Sequence, residues 1–115
     1  MQRFEELHLE DGTVLKDTKP IEKWLYTSPY FWLLECELDN VKIEIKEGIL
    51  YWKSGTLYWG KWVWGVFESG EFRSGTWHGG IFLNGVFKAK WLNGVFKGGT
   101  FKGEKIAGEF PPEMV

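Results

Sequence analysis

An aromatic or apolar residue recurs every five positions through the second half of this 115-residue chain. The series loses one residue after its eighth member and then resumes, and Phe110 is a degenerate closing member. Glycine stands two residues before nine of the twelve central positions. The pattern predicts a structural repeat of about twelve five-residue units. The central residues are Trp52, Leu57, Trp62, Phe67, Phe72, Trp77, Phe82, Phe87, Trp91, Phe96, Phe101 and Ile106.

Each unit combines a short extended piece with a tight turn. Small or turn-forming residues precede most of the repeat glycines, as in Ser69-Gly70, Asn84-Gly85 and Asn93-Gly94. Such dipeptides supply the positive φ that tight turns require. A unit such as Val86-Phe87-Lys88 is therefore predicted to be three extended residues followed by a two-residue turn.

The odd period excludes two simple structures. Side chains alternate along a strand, so centres five residues apart would point to opposite faces of one continuous strand. A helix would spread the same residues around its cylinder, and each interior glycine would cost about 1 kcal/mol relative to alanine. We therefore expect an all-β fold in which the chain turns in every unit.

Two β architectures satisfy this requirement. In a β-solenoid with four sides per coil, residues twenty apart would stack, which places Trp52 near Phe72 and Trp77 near Leu57. In a hairpin meander, residues 81–83 would pair with residues 86–88 across a type I′ Asn84-Gly85 turn. The five-residue period is compatible with both.

Residues 1–48 lack the period and are expected to form a β cap or lid on the array. Asp11-Gly12 is typical of a hairpin, and residues 20–25 are compatible with one or two helical turns. Residues 30–38 are apolar enough for a buried strand, which would turn at Asp39-Asn40 into an alternating strand over residues 41–46.

The length predicts a single domain over residues 1–115. It would comprise the N-terminal segment 1–48, the repeat array 49–110 and a loose tail 111–115. Net charge is −2, and the cations of the second half are scattered among acids, which disfavours duplex nucleic acid as a partner. We expect no signal peptide and no membrane span. The single cysteine, Cys36, excludes an internal disulfide and favours a reducing, cytoplasmic location.

The array resembles two repeat families. Gly75-Thr76-Trp77-His78-Gly79-Gly80 and Gly80-Ile81-Phe82-Leu83-Asn84-Gly85 are similar to the Gly-x-Trp-x-x-Gly core of MORN repeats, and the step of five resembles pentapeptide-repeat proteins. The resemblance covers about residues 49–110. It implies a largely non-catalytic role, as a scaffold or as an inhibitor of another macromolecule.

Residues with catalytic potential are few. His8 and His78 belong to no local catalytic signature, and both occupy positions expected to face solvent. Cys36 lies in an apolar stretch without a basic neighbour, which indicates a buried, inert thiol. We therefore predict that the chain is not an enzyme and has no metal or cofactor.

The candidate binding residues cluster at the start of the array. Trp59 and Trp64 occupy the turn position that Ser, Asn or Gly takes in other units, so both are expected to point away from the core. We expect residues 24–34 to cover them; the alternative is an exposed surface for stacking on a partner. The full candidate set is Tyr58, Trp59, Lys61, Trp64 and Arg73.

Three functions follow from these residues. The first is a protein-interaction module, an inhibitor or scaffold of the phage type that blocks a macromolecular partner. The second is a small-ligand binder that holds a nucleotide or an oligosaccharide between the tryptophans. The third is an enzyme, which would require His8 or His78 to meet a carboxylate in a cleft. A homo-oligomer is compatible with each, because open ends of stacked arrays add strands readily.

Overall fold

The computed structural model describes residues 2–114, in which the repeat array forms a β-solenoid preceded by a small mixed sheet and a helix. One α-helix, α1, spans Thr18–Tyr26, and 3₁₀ helices span Phe31–Glu35 and Pro112–Met114. The strands are β1 (Phe4–His8), β2 (Val14–Lys16), β3 (Glu37–Lys46), β4 (Ile49–Trp62), β5 (Val66–Phe67), β6 (Glu71–Phe72), β7 (Gly75–Trp77), β8 (Ile81–Phe82), β9 (Val86–Phe87), β10 (Lys90–Trp91), β11 (Val95–Phe96), β12 (Thr100–Phe101) and β13 (Glu104–Lys105).

The solenoid has three sides, not four. Trp52 pairs with Phe67, and Phe67 with Phe82, so residues 15 apart stack along the first side. The predicted stacking of residues twenty apart is wrong. Each coil thus consists of three five-residue units, and the first, second and third sides begin with the units centred on Trp52, Leu57 and Trp62.

Aromatic ring size explains the number of sides. In the second coil the three inward rings form a nearly equilateral triangle, with centroid separations of 6.5 Å for Phe67 and Phe72, 6.2 Å for Phe72 and Trp77, and 6.3 Å for Phe67 and Trp77. Edge-to-face contacts at these distances fill the interior completely. A fourth side would enlarge the cross-section and leave a void, which packed interiors avoid.

The hairpin meander is also excluded, because the array strands are parallel. β8 pairs with β5 and β11, and β9 pairs with β6 and β12, whereas β8 and β9 do not pair with each other. The amide of Leu83 donates to the carbonyl of Phe67 at 2.8 Å, and equivalent bonds join the other coils. Asn84-Gly85 therefore makes a corner between two sides instead of a hairpin.

The corner glycines are required for two reasons. Gly85 has a φ of 116°, a conformation that is strained for other residues. A Cβ at this position would also fall well inside contact distance of the carbonyl oxygen of Gly70, one coil earlier. Successive coils therefore approach so closely at their corners that only glycine fits.

The last two coils are each one residue shorter. Trp91 stacks on Trp77, 14 residues earlier, and Lys105 pairs with Trp91. Ile106, predicted as an inward centre, is instead 55% exposed, and Lys105 takes its place in the register. Phe110 is a genuine ring of the array, because it stacks on Phe96 at 5.7 Å. The sequence contains a local signal for this register, because Gly103 and Gly108 stand two residues before Lys105 and Phe110.

Two predictions for the N-terminal segment are confirmed. β1 and β2 form an antiparallel hairpin around Asp11-Gly12, and α1 includes the predicted helical residues. β1 also lies parallel to β3, which pairs antiparallel with β4, so the N-terminal sheet continues into the solenoid.

Two other predictions are wrong. Residues 31–35 form a 3₁₀ helix, not a strand, and the chain does not turn at Asp39-Asn40 but continues as β3 through an irregularity at which Asn40 has a φ of 55°. The Tyr30 hydroxyl donates to the carbonyl of Gly48 at 2.6 Å and accepts from the amide of Leu50 at 3.0 Å. These bonds tie the segment across the end of the solenoid, where it cannot extend as a strand.

The N-terminal end of the solenoid is closed by this segment. β3 lies against the first two sides of the first coil, and Trp32 packs edge-to-face on Trp62 at 5.2 Å on the third side. Cys36 is buried against Gly60. At the other end, Phe110 lies within 5.7 Å of Phe96 and Phe101, and the predicted loose tail begins with the 3₁₀ turn Pro112–Met114. Val115 lies outside the described residues.

Candidate interaction surface

The five candidate binding residues lie around the first coil, but they do not form one patch. Tyr58 lies on the second side, Trp59 follows it at the corner to the third side, Lys61 lies on the third side, and Trp64 lies at the corner between the third side and the first. Arg73 lies on the second coil, at the position that corresponds to Tyr58 on the first. The third side separates the two tryptophans.

Trp59 and Trp64 are exposed, at 56% and 47% of their surface. The expectation that residues 24–34 cover them is wrong. That segment instead places Trp32 on Trp62, because the open end of the first coil would otherwise leave an indole uncovered. Corner residues point outward and are not part of that end.

Tyr58 and Arg73 are engaged with each other. The guanidinium of Arg73 lies 4.8 Å from the centre of the Tyr58 ring and is paired with the carboxylate of Glu71. Glu71 also meets Lys88 at 3.4 Å, and the bond from Arg73 is the main reason that the pKa of Glu71 is lowered. This cluster stabilises the second side and leaves Arg73 with little capacity for an outside ligand.

Exposed apolar side chains also lie at the N-terminal end of the solenoid, and no pattern in the sequence indicated them. The 3₁₀ helix buries Trp32 and Leu33 and exposes Phe31, which lines a groove with Tyr26 and the half-buried Leu34. Tyr26 is 75% exposed and Phe31 is 58% exposed. The predicted strand over residues 30–38 did not indicate these exposed residues, because alternation along a strand would have buried different side chains.

Trp59 lies on β4, opposite the chain segment that directly follows the residues of this groove. Glu37 pairs with Trp59 across β3 and β4, and Cys36 lies against Gly60, directly after the 3₁₀ helix. We call Tyr26, Phe31, Leu34 and Trp59 the rim surface. Trp59 lies at the second corner of the first coil, and the other three residues line the groove at the N-terminal end of the solenoid.

A groove runs along the opposite corner, between the third side and the first. It has a volume of about 450 Å³ and is lined in part by Trp64, His78, Asn93 and Glu109. Gly79 forms part of its floor, and a Cβ there would lie 3.7 Å from Cδ1 of Trp64. We call this the corner groove.

Comparison with protein-family models, curated proteins and solved structures finds no match to this chain. The resemblance to MORN and pentapeptide repeats therefore rests on the repeat residues alone. Any functional inference has to come from the surface itself.

Of the two histidines, His8 meets a carboxylate in an open cleft, the arrangement that the enzyme alternative requires. Its Nε2 lies 2.7 Å from Glu6, and Lys42, which lies 3.9 Å from the same carboxylate, also lines the cleft. The hydrogen bond from His8 lowers the pKa of Glu6 and keeps it ionised. Burial raises the pKa of Cys36 to about 11, which keeps its thiol protonated at neutral pH.

His78 is partly buried and accepts or donates one hydrogen bond with the Thr76 hydroxyl, at 3.0 Å. Burial, and then the charge of Lys61, lower its pKa, so the imidazole is neutral at neutral pH. Within the described part of the chain, no three metal-ligating side chains come together. No helix there has the length and apolar composition needed to cross a membrane.

Proposed function

We propose that this chain is a non-catalytic protein-interaction module, an inhibitor or scaffold that docks on a protein partner through the rim surface. The observation that carries the proposal is the contrast between a fully enclosed aromatic core and large exposed rings at the rim. The inward rings of the first three coils are completely buried, whereas Tyr26, Phe31 and Trp59 are each more than half exposed.

The exposure has a thermodynamic consequence. Exposed aromatic side chains lose favourable burial energy of about 25 cal/mol per Å² of apolar surface until a partner covers them. Aromatic anchors contribute disproportionately at protein interfaces, particularly where they cluster. A rigid scaffold below them also reduces the entropy lost on binding.

The remaining features agree with this function. Arg73 and Lys88 on the second side are paired with Glu71 and do not form the continuous basic stripe that phosphate backbones need. The buried, protonated thiol of Cys36 suits a reducing compartment, and we place the protein's action in the cytoplasm. A second copy of the chain is an alternative occupant of the rim, which sedimentation would reveal.

The test is affinity purification from cells that naturally produce the protein, with three baits. These are the wild type, the double variant Phe31→Ser/Trp59→Ser, and the control Leu83→Ser, which alters a 39% exposed residue on the first side. We expect a protein recovered in comparable molar amount with the wild type and the control, and lost with the rim variant. Identical recovery with all three baits would contradict the proposal.

A further inference from the structure

The corner groove combines an aromatic platform with uncharged and acidic hydrogen-bonding groups. It lies across the third side from Trp59 and shares no residue with the rim surface. Its principal side chains come from successive coils, Trp64 from the first, His78 from the second and Asn93 from the third, and Glu109 closes it. Strand spacing of about 4.8 Å per coil makes this a path of roughly 14 Å.

Trp64 is the aromatic side chain of the groove. Its Cδ1 lies 3.7 Å from the position of a Cβ on Gly79, an ordinary contact distance, and the residue is 47% exposed. The π-face of an indole attracts polarised C–H groups. The exposed part of the Trp64 indole therefore suits the flat apolar face of a ligand.

The polar groups of the groove are available to a ligand. Neither the Asn93 amide nor the Glu109 carboxylate has a hydrogen-bond partner among residues 2–114, although the backbone of Glu109 is fixed by bonds to Gly94 and Phe96 at 2.8 Å. The amide both donates and accepts, and the carboxylate accepts two or more bonds. Together they match hydroxyl groups, which also donate and accept.

Charge and backbone geometry disfavour two other classes of ligand, nucleotides and extended peptides. Within the described residues that line the groove there is no lysine or arginine, and Glu109 would repel a phosphate, which disfavours nucleotides. The backbone amides of Ile81, Val95 and Glu109 already bond to the preceding coil. An extended peptide therefore finds no free strand edge to pair with along this corner.

We propose that the corner groove binds an uncharged oligosaccharide, with the C–H face of one sugar ring on Trp64 and hydroxyls of the following rings on Asn93 and Glu109. The length of the groove requires a chain of sugar rings instead of a single one. Stacking supplies affinity, and the two polar side chains fix the orientation, as in other ligand sites of this composition. This function goes beyond the protein-docking role of the rim surface and is independent of it.

The experiment is an NMR titration of the ¹⁵N-labelled full chain, following the indole N–H signals. The probes are neutral tetrasaccharides of β-1,4-linked glucose, β-1,4-linked N-acetylglucosamine, β-1,4-linked mannose and α-1,4-linked glucose, with ATP as an anionic comparison. We expect at least one tetrasaccharide to shift the Trp64 signal and to leave the Trp59 signal unchanged. No shift of Trp64 with any tetrasaccharide at millimolar concentration would overturn the proposal, as would tighter binding of ATP.

Variants separate the site from a general effect on the fold. Trp64→Ala is expected to weaken the binding about tenfold, and Trp64→Phe to restore part of it, because a smaller ring still stacks. Asn93→Ala is expected to weaken it severalfold. The matched control Trp59→Ala, at the other corner of the same coil, should bind within a factor of two of the wild type. Equal weakening in the Trp59 and Trp64 variants would assign the effect to the fold and overturn the site.

Discussion

The repeat array and the N-terminal segment bury their apolar side chains in different ways. In the array, most inward rings stack on the ring one coil away, as Phe67 does on Phe82 at 4.8 Å with nearly parallel planes. In the N-terminal segment, aliphatic side chains such as Ile43 and Leu25 fill a core between a mixed sheet and α1. The core of the array therefore forms from contacts between its own repeats. The conformation of the N-terminal segment depends instead on its packing against the first coil.

The largest difference between the two regions should follow from removing a buried phenylalanine in each. Phe82 and Phe4 are both fully buried, but Phe82 stacks on Phe67 and Phe96, whereas no ring of residues 2–114 packs on Phe4 within the described aromatic pairs. We expect Phe82→Ala to lower the free energy of unfolding by about 3–5 kcal/mol. Phe4→Ala should cost about 1 kcal/mol less, because it loses no ring stacking. Urea unfolding of both variants measures this.

Equal losses for the two phenylalanines would show that the array rings contribute through buried area alone. Phe82→Leu sharpens the result, since it keeps apolar volume and removes only the ring. A loss well below that of Phe82→Ala but clearly above zero is expected.

Glycine substitution should give the next largest difference. Gly85 and Gly12 both have positive φ, at 116° and 91°, but a Cβ on Gly12 meets nothing within 4 Å, whereas one on Gly85 collides with Gly70. Gly12→Ala is expected to cost about 1 kcal/mol from backbone strain alone. Gly85→Ala should cost about 3 kcal/mol, because the coils must also separate. Thermal or urea unfolding distinguishes the two, and similar values would refute the close approach at the corners.

We call the boundary between the N-terminal segment and the first coil the seam. Cys36 lies at the seam against Gly60, so the ionisation of its thiol reports on this boundary. Burial raises its pKa in the folded state to about 11, from 9.0 in the unfolded chain. The folded state therefore holds this proton more tightly. Its contribution to stability is complete below about pH 9 and is lost as the pH rises towards 11.

We expect the wild type to lose up to about 2 kcal/mol more than Cys36→Ala between pH 8 and pH 10.5. Unfolding in urea at both pH values measures the difference, and the variant serves as the control for all other groups that titrate in this range. Parallel losses in the two proteins would mean that the thiol is accessible to water and that the seam is open.

The smallest effect should come from the ion pairs across the seam. Lys53 in the array lies 3.0 Å from Glu68 on the next coil and 3.7 Å from Glu44 in β3, and the hydrogen bond that it donates to Glu68 is the main reason that the pKa of Lys53 is raised. Lys53→Met is expected to cost about 0.2–1 kcal/mol at low salt and less at high salt. Lys97→Met, at the equivalent position in the fourth coil, is the control and should cost less. A larger cost for the control would contradict the bridging role of Lys53.

Much of the array could be predicted from the sequence by itself. The five-residue period excluded a helix and a single strand, the glycines marked the corners, and the inward positions from Trp52 to Phe101 follow directly from the repeat. These are local properties, because backbone conformation at a glycine and the direction of a side chain in a short strand depend on a few neighbouring residues. The outward direction of Trp59 and Trp64 follows from the same local rule, whereas their exposure depends on where residues 24–34 pack.

Only the tertiary structure decided the number of sides, the form of residues 31–35 and the surfaces that result. Three sides close because rings from one coil must meet at about 6 Å, a condition that involves residues five and ten positions apart together. The 3₁₀ helix places Trp32 on Trp62, which would otherwise be exposed at the end of the first coil. The two residues lie thirty positions apart in the sequence. The rim surface and the corner groove depend on these long-range contacts, and a local pattern in the sequence cannot report them.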